Sequence, residues 1–354
     1  MVKLPADAGW QRQFPGGEPS WGRCRFVIDA EERHYDWLVI YEDLPRPELL
    51  ACPARRTLLV TTEPSSIKTY GSAFLNQFGT VLTSQEPWAL RHRDAVRSQP
   101  ALKWFYGWPI RHRNLQHRSY EDMAAGPPAP KTKTISTLCS EKQQKHTLHR
   151  DRHRFTHQLH AAMPELDIYG WGNRELVDKA EGLDAYKYHL AIENHRAPHH
   201  WTEKLADPFL ALCLPFYAGC PNTNDYFPDD SYIRIDLNDF ESSLRTIKQA
   251  IEGDAYTQRL PALREARRRV MEEHNFFAVV STLIEARHDS GEPYARADAN
   301  TVVYPRRVAR KRNPWRALRY AGENLHVKLR GRWHRGRADA VAKRGDTLGG
   351  GVEH

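Results

Sequence analysis

Several familiar protein classes are excluded by what this sequence lacks. No apolar run approaches the roughly 20 residues that a bilayer-crossing helix needs. The opening MVKLPADAGWQRQFPGGEPSWG holds no apolar core of the kind a secretory leader carries, so no signal peptide is expected. Cysteine is scarce: Cys24, Cys52, Cys139, Cys213 and Cys220 are odd in number, scattered and without a C-x-x-C pair. That argues against a disulfide framework or a zinc ribbon and for free thiols in a reducing compartment. A glycine-rich dinucleotide fingerprint is also missing, since Gly170-Trp171-Gly172 is too short for one. No Ser-His-Asp or Cys-His set stands out.

What is present can fill two cores. With 354 residues, 40% hydrophobic and 27% charged, the composition is that of an ordinary globular chain long enough for two domains. The formal charge of +8 is uneven: residues 306–344 hold 14 Lys and Arg against Glu323 and Asp339, a net +12, which leaves the remainder at −4. A mildly acidic body is not how a protein that binds nucleic acid across its surface is built. No nucleic-acid partner is therefore expected; a nucleic-acid-binding protein acting through the tail is the reading from a different class. Within the tail, Arg and Lys are interleaved with Trp315, Leu318, Tyr320, Leu325, Val327, Leu329 and Trp333 at near-helical spacing. Such a segment suits an interfacial helix on an anionic membrane surface. A disordered basic tail with no partner is the plainer alternative.

Strand-like and helix-like segments alternate twice. YDWLVIY (35–41), TLLVTTE (57–63) and TVLTS (80–84) read as strands, with crossovers between them. AAGPPAPK (124–131) reads as a linker. Beyond it, TKTISTLCS, LDIYGWG, YKYHLAIE, CLPFYAG and SYIRID read as strands. QKHTLHRDRHRFTHQLHAAM (144–163) and TEKLADPFLAL (202–212) read as helices, and Asn238 with Glu241 reads as a capping box. This predicts an α/β fold with two Rossmann-like domains facing a cleft: 1–123, a linker at 124–131, 132–285, and an extension at 286–354 that looks polar and partly disordered.

The stretch ENHRAPHHWTEKLADPFLALCLPFYAGCP (193–221) carries the chemistry. A helix starting near Thr202, after a strand ending at Glu193, presents unpaired N–H groups at the carboxyl edge of a parallel sheet, where open α/β sheets bind ligands. Lys204 adds a full charge, which suits a phosphate or diphosphate. Glu203 repels phosphate but accepts hydrogen bonds from sugar hydroxyls, so the pair fits a nucleotide-sugar. On the plainer reading Glu203 only complements the helix dipole and Lys204 is solvated.

The same region, YHLAIENHRAPHHWTEKLADPFLALCLPFYAGCPNTNDYFPDDSYIRID, resembles the signature of glycosyltransferase family 10, the α-1,3/1,4-fucosyltransferases. It carries an apolar-Glu-Asn box at Glu193-Asn194, Thr-Glu-Lys opening a helix at Thr202-Glu203-Lys204, and then an apolar strand ending in Gly. The resemblance is specific over about fifty residues and traceable across roughly 57–250. RDRHRFTHQLHAAMPELDIYGWG resembles the family helix that carries a diphosphate-binding Arg; the register implies Arg152, with Arg154 a close competitor. LLVTTEPSS resembles the segment that carries the family's general base, which implies Glu63. His200, in place of an aromatic, and Pro208, expected to kink or end the first part of its helix, depart from the pattern.

The resemblance implies a GT-B-like fold and an inverting transfer of L-fucose from GDP-fucose to a hydroxyl of a GlcNAc-containing saccharide, such as a surface lipopolysaccharide. It implies Glu63 and Glu203 as catalytic groups and Glu193, Asn194, Thr202, Lys204 and Arg152 at the donor, with no cofactor and no metal. The same machinery with another nucleotide-sugar is the alternative. Expected partners are a GDP-sugar, a saccharide acceptor and, through residues 306–344, an anionic membrane. The expected location is cytoplasmic, peripheral on the inner face of a bacterial plasma membrane. Other clusters read as structural. His149, His153 and His157 share a helix face without a carboxylate or Cys partner nearby. The acids of DLND and PDD suit caps and turns.

Overall fold

The computed structural model describes residues 1–4, 9–29, 35–101, 103–109, 117–139, 148–288 and 301–348, with side chains as far as 334. Short apolar runs in the first half form β1 (Val2–Lys3), β2 (Leu38–Tyr41), β3 (Thr57–Val60), β4 (Thr80–Thr83) and β5 (Ala95–Arg97), a parallel sheet in sequence order. Side chains alternate between its faces. Val39, Tyr41, Leu58, Val60 and Leu82 enter one core; Leu38, Ile40, Leu59 and Val81 enter another. A parallel sheet buried on both faces needs cover on both. This half supplies little of it: its described α-helices are Ser72–Leu75 and Tyr120–Ala125.

The second half builds β6 (Lys133–Leu138), β7 (Leu166–Tyr169), β8 (Tyr186–Ile192), β9 (Leu214–Ala218) and β10 (Ile233–Arg234), all parallel, in the order β7-β6-β8-β9-β10. Helix α1 (His149–Ala162) joins β6 to β7, and α2 (Glu203–Leu210) joins β8 to β9. α3 (Phe240–Glu252) and α4 (Ala255–Glu272) follow β10. Residues 144–147 of the helix expected at 144–163 lie outside the described residues. On α1, Arg152, Phe155 and Leu159 fall at i, i+3 and i+7 and share the buried stripe. The cap of α3 is Asp239, whose carboxylate accepts from the Ser242 N–H at 3.0 Å, not the expected Asn238. Pro208 does not break α2, which runs through it and ends two residues later. The fold is thus α/β, with the pair of Rossmann-like parallel sheets that the alternation predicts.

The chain end differs from expectation. α5 (Phe276–His288), expected to straddle the end of the second domain, packs into the first. Phe277 stacks on Phe14 with ring centroids 3.7 Å apart, and the Asn275 side-chain amide donates to the Gln13 carbonyl at 2.7 Å. Phe276, Phe277 and Val280 cover the face lined by Val39 and Leu58. The opposite face receives Val303 and Ala309. Val302–Val303 pairs antiparallel with Glu48–Leu49, and Ala309 lies on α6 (Arg306–Lys311). α7 (Pro314–Leu348) then docks on the first domain: Glu323 accepts from the Ser72 N–H at 3.0 Å, and Val327 is buried. Through Val303, Ala309, Glu323 and Val327, the expected partly disordered extension packs on the first domain and supplies helical cover that its own crossovers lack.

Phe277→Ala should accordingly lower unfolding free energy by about 3–5 kcal/mol. Urea denaturation would measure this, and a loss near zero would contradict the packing of α5 in the first core.

Candidate functional site

In the second sheet, the crossovers from β6 to β7 and from β7 to β8 place the reversal of strand order between β6 and β8, the position where open parallel sheets form a crevice at their carboxyl ends. Glu193 and Asn194 leave the carboxyl end of β8, and α2 opens beside them. The Thr202 N–H donates to Glu193 Oε1 at 2.8 Å, and the Thr202 hydroxyl lies 2.8 Å from Oε2. The Thr202 side chain in turn accepts from the Lys204 N–H at 3.3 Å, capping the helix. Glu193 is wholly buried, and burial pushes its pKa up to about 7 although the Lys204 ammonium lies 4.0 Å away. A β-carbon at Gly219 would collide with the Glu193 side chain, so the residue just past β9 must be glycine.

Glu203 faces two cations. Its carboxylate is 3.0 Å from the Lys204 ammonium and 3.7 Å from that of Lys179. Burial alone would raise its pKa; Lys204 and Lys179 outweigh burial and hold it well below the usual carboxylate range. Lys179 also bonds Asp207 at 2.9 Å. Burial opposes its charge, but Asp207 and Glu203 raise its pKa. Asp207 accepts the Phe105 and Tyr106 N–H groups at 2.9 and 3.1 Å. That ties the segment carrying Lys103 and Phe105 to α2.

The two Arg candidates separate. Arg152 is buried and its Nη1 donates to Asn194 Oδ1 at 2.8 Å, while its Nε has no hydrogen-bond partner. Arg154 lies on the outer side of α1 with a half-exposed side chain, paired with Asp151 at 3.2 Å.

Across the cleft, Glu63 follows β3 and is exposed to the opening. Partial burial raises its pKa, and neighbouring Glu42 adds to the rise against the pull of Lys68 and Lys204. Glu42 sits just past β2 with φ of 74°, a left-handed backbone unusual for a side chain of its size. Its carboxylate accepts from the Thr62 N–H at 2.9 Å, the Thr62 hydroxyl at 2.7 Å and the Tyr70 hydroxyl at 2.5 Å, and it pairs with Lys68. Burial disfavours the Glu42 charge, yet Lys68 and these hydrogen bonds keep its pKa low. Glu63, Glu193, Asn194, Thr202, Glu203 and Lys204 line one cleft of about 380 Å³, together with Tyr41, Lys103, Phe105, His149 and His200. Arg152 reaches that wall through Asn194.

Sequence reasoning missed Glu42, Lys68, Lys103 and Lys179. An acid directly after an apolar strand was a visible signal for Glu42, as it was for Glu63; Lys179 left none. His200, a departure from the family pattern, is buried beside Ser84, with Oγ and Nδ1 3.1 Å apart, and burial lowers its pKa to about 3. His153 and His157 pack on each other, ring centroids 4.2 Å apart. Among the described residues, no group of three His, Cys, Asp or Glu is gathered as metal ligands.

The fold and the site define a two-sheet α/β protein with an acid on one wall of its cleft and a charged helix start on the other. Residues 128–254 match the family model described as glycosyltransferase family 10 (fucosyltransferase), C-terminal part. A putative fucosyltransferase-like protein of Arabidopsis thaliana is 34% identical over 102 residues, 27% of this chain and 20% of the relative. The α-(1,3)-fucosyltransferase FucT of Helicobacter pylori is 31% identical over 72 residues, 20% of this chain and 15% of the relative. This chain thus spans a fifth or less of the length of either relative. Among solved structures, an α1,3-fucosyltransferase crystallised with GDP-fucose aligns over 76% of this chain and 83% of its own, with 16% identity and a TM-score of 0.44.

The raised pKa of Glu193 sets a pH dependence. Between the ordinary value of 4.5 and about 7 the folded protein holds this proton and the unfolded chain releases it. The unfolded state then binds fewer protons, so the Glu193 contribution to stability falls as pH rises, by up to about 1.4 kcal/mol per pH unit. Glu193→Gln keeps an acceptor for the Thr202 N–H and removes the titration. Relative to this variant, the wild type should lose stability from pH 5 to 7; parallel pH–stability curves would refute the assignment.

Proposed function

We propose that the chain transfers L-fucose from GDP-fucose to a hydroxyl of a GlcNAc-containing saccharide, inverting the β-linked donor to an α-fucoside. The observation that carries this reading is a single cleft in which Glu63 of the first sheet faces the Glu193-to-Lys204 unit of the second, a unit lying inside the segment that matches the fucosyltransferase family. The acceptor hydroxyl attacks the anomeric carbon, the bond to the diphosphate breaks, GDP leaves, and Glu63 takes the hydroxyl proton. The raised pKa of Glu63 suits a group that must gain a proton near neutrality. Arg152, Lys204 and the start of α2 stabilise the departing diphosphate. Glu203 and Asn194 orient the sugar and the positive charge developing on its ring, with Glu203 kept anionic by its two lysines. Thr202 and Glu193 act as positioning residues, fixing where that helix begins.

These fixed cations supply the charge that a divalent ion would otherwise bring, so no metal is required on this account. Lipopolysaccharide is the acceptor class that fits a peripheral enzyme at the cytoplasmic face of a bacterial membrane. α7 supports that location. Opposite its docked face, marked by Tyr320, Glu323 and Val327, it carries exposed Trp315, Leu318, Leu325, Leu329 and Trp333. At 100° per residue these five fall in one stripe about 80° wide, flanked by Arg319 and Arg330 on one side and Lys328 and Arg332 on the other. Among the described residues, no helix is long and apolar enough to cross a membrane.

Incubation with GDP-fucose and N-acetyllactosamine-type acceptors, followed by NMR of the product, tests the reading: an α-linked fucoside formed in EDTA is expected. Turnover only with another nucleotide-sugar would select the alternative donor, and activity lost in EDTA but restored by Mn²⁺ would exclude the metal-free account. Glu63→Gln should lower kcat by about 10²- to 10⁴-fold at nearly unchanged GDP affinity. The wild-type kcat/KM should fall as pH drops through a value above the ordinary 4.5 of a glutamate. Near-normal turnover by the variant would remove Glu63 from the role.

For the tether, the full chain should co-sediment with phosphatidylglycerol vesicles in a salt-sensitive manner. Leu318→Asp with Leu329→Asp should abolish this without changing activity on a soluble acceptor. Undiminished sedimentation of the double variant would contradict it.

A further inference from the structure

Away from the cleft, a second cavity of about 320 Å³ opens where α6 and α7 meet the first domain. Its walls carry three guanidinium groups, Arg312, Arg316 and Arg319, facing Ser72, Asn76 and Gln77 of the first domain, and no acidic residue lines it. Arg316 and Arg319 stand one turn apart on α7, a like-charge spacing that destabilises a helix unless the charge is met. Arg319 is met by Glu323, whose carboxylate lies 3.1 Å from its Nε. Glu323 is already engaged elsewhere, accepting from the Ser72 N–H at 3.0 Å and the Ser72 hydroxyl at 2.5 Å. Among the described residues no carboxylate lies within ion-pair distance of Arg312 or Arg316.

The geometry also restrains these side chains. The Arg312 guanidinium lies 4.1 Å from the centre of the Tyr304 ring, a contact that orients its plane. Tyr304 is itself pinned by Gln77, which accepts from its N–H at 2.9 Å and donates to its carbonyl at 3.1 Å. The α7 helix starts at Pro314, between Arg312 and Arg316, so the positive end of a 35-residue helix lies at the rim. The Asn313 carboxamide caps that end by accepting from the Arg316 N–H at 2.8 Å, which fixes the root of the Arg316 side chain. Planar guanidinium forks around one concavity match the oxygens of a phosphate better than they match a single carboxylate.

We propose that this cavity is a phosphate-binding site, separate from the cleft and independent of the transferase reading. Two sources share that chemistry: a phosphate in solution, free or carried on a saccharide, and the head group of an anionic lipid. The test uses the full chain, with Arg312→Gln/Arg316→Gln as the variant. A control, Arg245→Gln/Lys248→Gln, removes the same charge from the exposed side of α3. Thermal unfolding first establishes that all three proteins fold alike.

In one arm, inorganic phosphate is titrated by calorimetry; in the other, vesicles of phosphatidylglycerol in phosphatidylcholine are floated with the protein. Loss of the two charged contacts should weaken binding by about tenfold or more, while the control behaves as wild type. A selective loss in the calorimetric arm assigns the site to soluble phosphate. A selective loss confined to phosphatidylglycerol vesicles assigns it to a lipid head group, and either outcome supports the proposal. Equal binding by variant and wild type in both arms, or an equal loss from the control, overturns it.

Discussion

Everything at the cleft depends on one buried hydrogen-bonded junction, the Glu193 carboxylate holding the Thr202 N–H and hydroxyl at 2.8 Å. A carboxylate with no exposed surface is costly unless its oxygens are satisfied. Here the satisfying group is the N-cap residue of a helix. The junction therefore converts a strand end into a fixed helix start. The next two residues inherit that precision: Glu203 and Lys204 leave the first turn of α2 at set positions, 3.0 Å from each other. Lys179 extends the arrangement to Asp207, and Asp207 extends it to the Phe105 and Tyr106 N–H groups. One chain of alternating charges thus runs from the sheet edge to the opposite lip of the cleft.

The first domain follows a different constraint. Its sheet is apolar on both faces, but few helices lie in its own connections. The chain solves this by returning after the second domain and laying α5 on one face and α6 on the other. α7 continues outward from that packing. This is why a basic helix lies against the first domain with its Arg residues around a cavity.

How much of this was legible depended on sequence distance. The Glu193-Asn194 and Thr202-Glu203-Lys204 spacing was readable because a strand end, a cap and a charged first turn are local signals. Arg152 was separable from Arg154 only once the helix face was known; both fit the motif register, and the stripe through Phe155 and Leu159 turns Arg152 inward and leaves Arg154 outside. Lys179 could not be read, because its partner Asp207 is 28 residues away in a different element. The same holds for Lys68, 26 residues from Glu42. Strand β5, three residues long, carries too short a pattern to stand out. The return of α5 was hidden because its apolar residues would suit either domain, and chain order favours the wrong one.

On the proposed function, the Glu193–Thr202 junction presents a diphosphate-binding helix start, assisted by Arg152. Calorimetric titration of GDP into the full chain in EDTA tests it most directly, comparing wild type with Lys204→Ala, Arg152→Ala and Arg154→Ala. The first two should each weaken GDP binding by about tenfold or more, and Arg154→Ala should match wild type. Unchanged affinity in both Lys204→Ala and Arg152→Ala, or a loss confined to Arg154→Ala, would contradict it.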